Sequence, residues 1–107
     1  MAKGFGQMNQ IMQQAQMMQK KMAKIQEEVA VREVTGSAGG NAISCVLNGK
    51  QQMLSIKIDA ALLKDGDVEM LQDLVVAAVN DGLTKSRDMM QEAMGGLGAG
   101  LNIPGLF

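Results

Sequence analysis

The sequence predicts an α+β fold: a long N-terminal helix, a three-stranded antiparallel meander and a long C-terminal helix, assembled as a homodimer. Apolar residues recur at helical spacing in two long segments, one toward each end of the chain. Between these segments, three short stretches alternate apolar and polar residues and are separated by turn-forming sequences. Helix, three strands and helix in that order are typical of an α+β layer architecture.

The first helix is predicted to run from about residue 4 to residue 28. Its apolar residues recur at steps of three and four, which is the a/d pattern of a coiled coil. Such a narrow stripe has to be buried against another surface. We interpret it as the seam of a homodimer, and the alternative is that it packs only on the sheet of its own chain. The predicted dimer seam consists of Met8, Ile11, Ala15, Met18, Met22 and Ile25.

The predicted meander begins where β-branched residues become frequent, at 29–35. The glycines within residues 36–40 then predict a hairpin loop. At the end of the second strand, Asn48 followed by Gly49 predicts a two-residue hairpin turn, because both residue types tolerate positive φ. The third strand is predicted at 52–58. One face of this sheet is more apolar than the other, so we expect that face to be covered.

The second long helix is predicted from about residue 68 to residue 94, after a short turn at 59–63. Asp67 is a good N-cap residue at its start. Apolar residues recur along the helix at a spacing that places them close together on its surface. Gly82 lies within it and costs about 1 kcal/mol relative to alanine, unless close packing requires a glycine there.

A chain of 107 residues corresponds to one domain, or to one half of an assembled domain. Residues 1–94 form the predicted α+β domain, and residues 95–107 form a predicted flexible Gly-rich tail. The tail contains apolar residues, so the sequence leaves open whether it docks onto the domain. A helix of 25 residues spans about 38 Å, whereas a strand of eight residues spans about 26 Å. Each long helix therefore extends beyond the sheet and projects or meets a partner subunit, which also favours a homodimer.

The composition argues against catalysis. The chain has no His, so it lacks the usual acid–base group at neutral pH and the commonest nitrogen ligand of metals. Its single cysteine, Cys45, alternates with apolar residues and is expected to be a buried, unreactive thiol. We therefore expect no enzyme activity, cofactor, metal or small-molecule substrate. No apolar run approaches the roughly 18 residues that a membrane span requires, so we expect a cytoplasmic protein without a membrane partner.

Charge is unevenly distributed along the chain, although the net charge is −1. Residues 1–26 contain four lysines and no acid, whereas residues 59–81 contain six acids and one lysine. The simpler interpretation is two solvated helix faces of opposite sign, and the sharper one is a basic patch used for binding. Trp and Tyr are absent and Phe occurs only twice, so the chain offers no aromatic platform on which unpaired bases could stack. A nucleic-acid partner is therefore expected to be a duplex, contacted at its phosphates with little regard to sequence.

Several short segments, in order along the chain, resemble the bacterial YbaB/EbfC nucleoid-associated family. The segments are residues 17–22, 26–28 and 34–36 in the first half, 56–59, 62–63 and 69–81 in the second half, and 104–107 at the end. No single segment is specific, but the ordered set covers essentially the whole chain. The resemblance implies a small homodimer that binds and bends or coats DNA in the nucleoid. The chain differs at residues 82–87, where relatives often carry a more continuously basic helix.

Two functions from different classes follow. The first is a nucleoid-associated homodimer that binds double-stranded DNA, alters its conformation and thereby affects gene expression. The alternative is a protein-interaction adaptor associated with the recombination or replication machinery, because Met-rich surfaces suit variable partners. A steep salt dependence of duplex binding favours the first function. The candidate DNA-binding residues are Lys20, Lys21 and Lys24, with Lys3, Lys85 and Arg87 as weaker candidates.

Overall fold

The predicted architecture is confirmed by a computed structural model, which describes the backbone of residues 2–98 and the side chains of residues 6–95. A long helix is followed by three strands, a short helix and a second long helix. The elements are α1 (Ala2–Ala30), β1 (Glu33–Ala38), β2 (Ile43–Asn48), β3 (Met53–Ile58), α2 (Ala60–Lys64) and α3 (Val68–Gly98). The homodimer stays a prediction, because the structure contains one chain.

The three strands form one antiparallel sheet in the order β1-β2-β3, as expected for a meander. Cys45 in β2 lies opposite Gly36 in β1 and opposite Ile56 in β3. The register between β2 and β3 shifts at one point, because Val46 pairs with Ser55 whereas Leu47 pairs with Met53. This shift is a β-bulge, which bends the edge strand locally.

The core lies between the central strand and α3. Ile43, Cys45 and Leu47 alternate along β2 and are buried on its helix-facing side, together with Ala78 of α3. The Cys45 thiol donates a hydrogen bond to the Ala78 carbonyl oxygen at 3.3 Å. The prediction that Cys45 is buried is therefore confirmed, and the sheet face predicted from the alternation in β2 is the one that α3 covers.

Glycines allow α3 to approach the sheet closely. A Cβ atom on Gly36 would overlap the Ala78 carbonyl oxygen and would lie 2.6 Å from the Gly82 Cα. A Cβ atom on Gly82 would in turn lie 3.3 Å from the Cys45 sulfur and would overlap the Leu47 side chain. Gly82 is therefore required by close packing against the sheet, which explains a glycine within a helix despite its low helix propensity.

Two of the predicted turns differ from the observed ones. Residue 36 belongs to β1 rather than to the loop, which instead contains three consecutive residues with positive φ at positions 39–41. The predicted two-residue turn at Asn48 and Gly49 is wrong, because β3 begins only at Met53 and the positive φ is at Gln51. Gly49 instead packs against the end of α1, where a Cβ atom would overlap the Val29 carbonyl oxygen.

The helix boundaries agree with the sequence to within a few residues. Asp67 caps α3 by accepting a hydrogen bond from the Met70 amide at 3.0 Å, as predicted. Asp59 caps α2 in the same way through the Ala61 amide at 3.0 Å. Helix α3 continues to Gly98, four residues beyond the predicted end. Residues 99–107 of the predicted tail lie outside the described residues.

The molecule is elongated, with principal dimensions of 79 × 26 × 16 Å. Its radius of gyration is 21.2 Å, against about 13 Å for a compact domain of this length. The two long helices account for the shape. Helix α1 is buried at its last residues, Val29 and Ala30, and also packs against α3. Its N-terminal half is largely exposed over the described side chains.

Candidate nucleic-acid interface

Helix α1 carries the predicted basic patch as a set of solvent-exposed side chains. Lys20, Lys21 and Lys24 are all exposed. Lys20 and Lys24 are four residues apart and share a helix face. Among the described residues none of these three ammonium groups forms an ion pair. They are therefore free to contact an anionic partner.

The predicted dimer seam on the same helix is only partly covered within one chain. Met18 and Ile25 are half-buried, whereas Met8 and Ile11 are 63% and 65% exposed. Because α1 contacts α3, the C-terminal part of the stripe is partly covered by its own chain. The N-terminal part lacks such cover among the described side chains. Ala15 and Met22, the other seam residues, are exposed.

The basic residues predicted on α3 are engaged locally. The Lys85 ammonium donates a hydrogen bond to the Thr35 carbonyl oxygen at 3.0 Å and forms an ion pair with Asp81 at 3.1 Å. The Arg87 Nε donates to the Leu83 carbonyl oxygen at 3.4 Å, one helical turn earlier. Lys85 therefore fastens α3 to β1, and its charge is partly neutralised. This arrangement leaves the Lys85 ammonium less available to an external anion than the exposed lysines of α1.

Asp81 is the acidic residue in the contact between α3 and β1. Its carboxylate accepts a hydrogen bond from the Ser37 backbone amide at 3.0 Å. This hydrogen bond, followed by the one from Lys85, lowers the pKa of Asp81 below its usual value. The carboxylate therefore stays charged at neutral pH and offsets the Lys85 charge.

Two further cations lie near the base of α1, and the sequence reasoning did not select them. Arg32 lies two residues after the end of α1, and its amide donates to the Val29 carbonyl oxygen at 3.0 Å. Lys50 follows Gly49, which packs on the same carbonyl. Both side chains are exposed. Only the fold brings these segments together, because they are separated along the chain. A shallow cleft here is lined by Ala23, Gln26, Glu27, Ala30, Val31 and Lys50.

Three further predictions concern Lys3, metal binding and membrane insertion. Lys3 lies in α1, but its side chain is outside the described ones. In the described residues, no group of three His, Cys, Asp or Glu residues is placed to hold a metal ion. No described helix is long and apolar enough to span a membrane.

Comparisons with known proteins agree on one family. The model of the YbaB/EbfC DNA-binding family matches residues 4–101. A nucleoid-associated protein of Syntrophobacter fumaroxidans is 51% identical over 106 residues, which cover 99% of this chain and 93% of that protein. A nucleoid-associated protein of Pelotomaculum thermopropionicum is 47% identical over 102 residues, which cover 95% of this chain and 97% of the other.

A solved structure shares the fold. The crystal structure of an uncharacterized protein from Helicobacter pylori superposes with a TM-score of 0.66 at 25% sequence identity. The alignment covers 87% of this chain and 94% of that one. The order of a long helix, three strands and a second long helix is therefore found in an experimental structure as well.

Proposed function

We propose that this chain, which belongs to the YbaB/EbfC DNA-binding family, binds duplex DNA as a homodimer through phosphate contacts with little sequence preference. The observation that carries the proposal is the projecting helix α1, which has no acid before Glu27 and whose three exposed lysines form no ion pair within the described residues. Binding along such an arm alters the path of the DNA and, through it, gene expression in the nucleoid.

The chemistry of the side chains favours phosphate contacts over base readout. A lysine ammonium is a compact point charge that pairs with a phosphate without fixed orientation. The chain lacks the Tyr and Trp on which unpaired bases stack. Two subunits present six ammonium groups from Lys20, Lys21 and Lys24 alone, which is enough for non-specific binding despite the net charge of −1.

The homodimer is supported by the apolar stripe of α1. Met8 and Ile11 lie at a/d positions and are exposed in the single chain, so burying them requires a partner. In the same heptad pattern, Lys20 and Lys21 fall at positions f and g, and Lys24 falls at position c of the next heptad. A helix can therefore use its a/d stripe for a partner subunit and keep these lysines in contact with DNA.

An adaptor function remains the second candidate, because exposed methionines are frequent. Met12 and Met17 lie outside the a/d stripe and are each 58% exposed. Methionine adapts its shape to different apolar surfaces, which suits a variable protein partner. Catalysis is not proposed, since neither a histidine nor an accessible thiol is present in the sequence and structure.

The test is a duplex-binding titration at several salt concentrations with two variants, a triple variant of α1 and a control variant elsewhere on the chain. In the first, Lys20, Lys21 and Lys24 are replaced by Gln, which keeps good helix propensity. In the second, the exposed Lys57 and Lys64 are replaced by Gln, so that positive charge is lost elsewhere, and Lys50 is kept because it lies beside the base of α1. Circular dichroism and sedimentation check that both variants keep the parent fold and assembly.

The first variant is expected to flatten the slope of log affinity against log salt by about 2.7 per subunit, because each lost phosphate contact removes about 0.9. The second variant is expected to change the slope much less. Equal slopes for the parent and the α1 variant would overturn the proposed interface. A salt-independent association with a protein partner, and none with duplex DNA, would favour the adaptor.

A further inference from the structure

One side of α1 changes its chemistry from one heptad to the next. Heptad positions c, f and g are neighbours on this side of the helix. In the heptad that begins at Met8, all three positions are glutamines, and they form an amide stretch of Gln10, Gln13 and Gln14. The three lysines of the basic patch follow on the same side, and then two acids, Glu27 and Glu28. From the N-terminus, this side is therefore first neutral and polar, then basic, and finally acidic.

The amide stretch is available to a ligand. All three glutamines are exposed, and they lie in the N-terminal half of α1, which projects from the body of the molecule. Within the part of the chain that the structure describes, their side chains take part in no hydrogen bond. A side-chain amide carries both donors and an acceptor. The stretch can therefore bind a surface that offers acceptors and donors side by side and carries no charge of its own.

The distribution of charge along α1 divides the contact with DNA into two parts. Residues 4–19 contain no charged side chain, and in a helix they span about 24 Å. A helix that followed a row of phosphates over this distance would need cations along it, because phosphate contacts depend on Lys and Arg. Base edges, in contrast, are uncharged donors and acceptors. The neutral part of α1 therefore matches base edges, the basic patch matches phosphates, and the acids at Glu27 and Glu28 end the contact by repulsion.

Only one groove of a duplex admits an α-helix. The major groove of B-form DNA is about 12 Å wide and about 8.5 Å deep, whereas the minor groove is about 6 Å wide. A helix with its side chains is about 10–12 Å across, so it enters the major groove and not the minor one. In an A-form RNA duplex the major groove is deep and narrow, and side chains cannot reach its base edges. A contact made by the amide stretch therefore requires the major groove of B-form DNA.

We propose that the N-terminal half of α1 lies in the major groove of B-form DNA, with the amide stretch on base edges and the basic patch on phosphates at the rim of the groove. The inference rests on the proposed function and adds to it the groove and the form of the duplex. Every base pair presents both a donor and an acceptor in the major groove. Because a glutamine amide rotates to match either, the contact selects the shape of the groove and tolerates any sequence.

The first test replaces Gln10, Gln13 and Gln14 together by Ala. The three side chains are exposed and alanine is the best helix former, so the fold is kept. We expect the affinity for a DNA duplex to fall roughly tenfold, as expected when a few neutral hydrogen bonds are lost. The slope of log affinity against log salt is expected to stay that of the parent, because no phosphate contact is removed. The lysine variant of α1, in contrast, changes the slope.

The matched control replaces three other exposed glutamines of the same helix, Gln16, Gln19 and Gln26, by Ala. They fall at heptad positions b and e, outside the side of α1 that carries the amide stretch. We expect this variant to bind the DNA duplex with the affinity of the parent. Circular dichroism and sedimentation check that both variants keep the helix content and assembly of the parent. An equal loss of affinity in both variants would show that the contact does not belong to the amide stretch.

A second measurement uses the parent chain and three duplexes of one sequence: DNA, DNA whose hydroxymethylcytosines carry glucose that fills the major groove, and RNA. We expect the glucosylated DNA and the RNA to bind roughly tenfold more weakly than the unmodified DNA at each salt concentration. Equal affinities for all three duplexes, or a variant of the amide stretch that binds like the parent, would overturn the groove contact. A steep salt slope in that case would leave the proposed function standing, whereas a flat slope would overturn both.

Discussion

Gly36→Ala tests whether the close contact between β1 and α3 holds the fold together. Gly36 lies in the middle of β1 and faces the helix. An added Cβ atom would overlap the Ala78 carbonyl oxygen and the Gly82 nitrogen, and would lie 2.6 Å from the Gly82 Cα. All three are backbone atoms, so no side-chain rotation can relieve the overlap and α3 itself has to move.

The expected magnitude follows from two opposing effects. Glycine within a strand costs roughly 0.5–1 kcal/mol relative to alanine, so local propensity alone predicts that the substitution stabilises the protein. Overpacking a close contact costs about 1–3 kcal/mol, and backbone atoms place this contact at the upper end. We expect a net loss of about 2 kcal/mol, which lowers the melting temperature of a domain of this size by about 8–16 °C.

The assay is thermal and denaturant unfolding followed by circular dichroism, at one fixed protein concentration because the proposed homodimer would make stability depend on concentration. Gly95→Ala is the control, since this glycine lies within α3 and an added Cβ atom there would have no other atom within 4 Å. We expect the control to be neutral or more stable by up to about 1 kcal/mol. If Gly36→Ala is as stable as the parent chain, the close packing is not what the contact requires.

Three other predictions concern charge, assembly and the chain end. Asp81→Asn should destabilise the chain at pH 7, because the charged carboxylate stabilises the fold. The destabilisation should decrease as pH falls below 3.8 and through the lowered pKa of the folded state, where the carboxylate becomes protonated. An equal loss of unfolding free energy at pH 7 and at pH 3, measured by denaturant unfolding, would contradict this prediction. Met18→Glu should shift sedimentation toward the monomer, whereas Met12→Glu, off the stripe, should not; equal dimers would count against the α1 seam. A chain ending at Met94 should melt within about 5 °C of the parent, and a larger drop, about 1 kcal/mol, would show that the remaining residues dock.

Much of the fold could be predicted because its signals are local. The heptad stripe predicted α1, the alternation around Cys45 predicted β2, and the N-cap residue Asp67 predicted the start of α3. The hairpin after Asn48 could not be predicted correctly, because Gly49 is required by packing against α1 rather than by turn geometry. That requirement involves a residue twenty positions earlier, which no turn signal records.

The candidate site divides in the same way. Exposure of Lys20, Lys21 and Lys24 follows from the periodicity of their own helix. The state of Lys85 does not, because its acceptor, the Thr35 carbonyl, is fifty residues away in the chain. The exposure of every residue of β3 could not be predicted either, since alternation indicates an apolar face but not whether a helix covers it. Contacts between distant segments therefore account for what the sequence left undetermined.

The central claim, that the chain binds duplex phosphates without reading sequence, is tested most directly by measuring affinity for two unrelated duplexes of equal length across a salt series. We expect the same affinity for both duplexes at every salt concentration. We also expect log affinity to fall linearly with log salt, at about 0.9 per phosphate contacted. A strong preference for one duplex, or an affinity that does not change with salt, would contradict the claim.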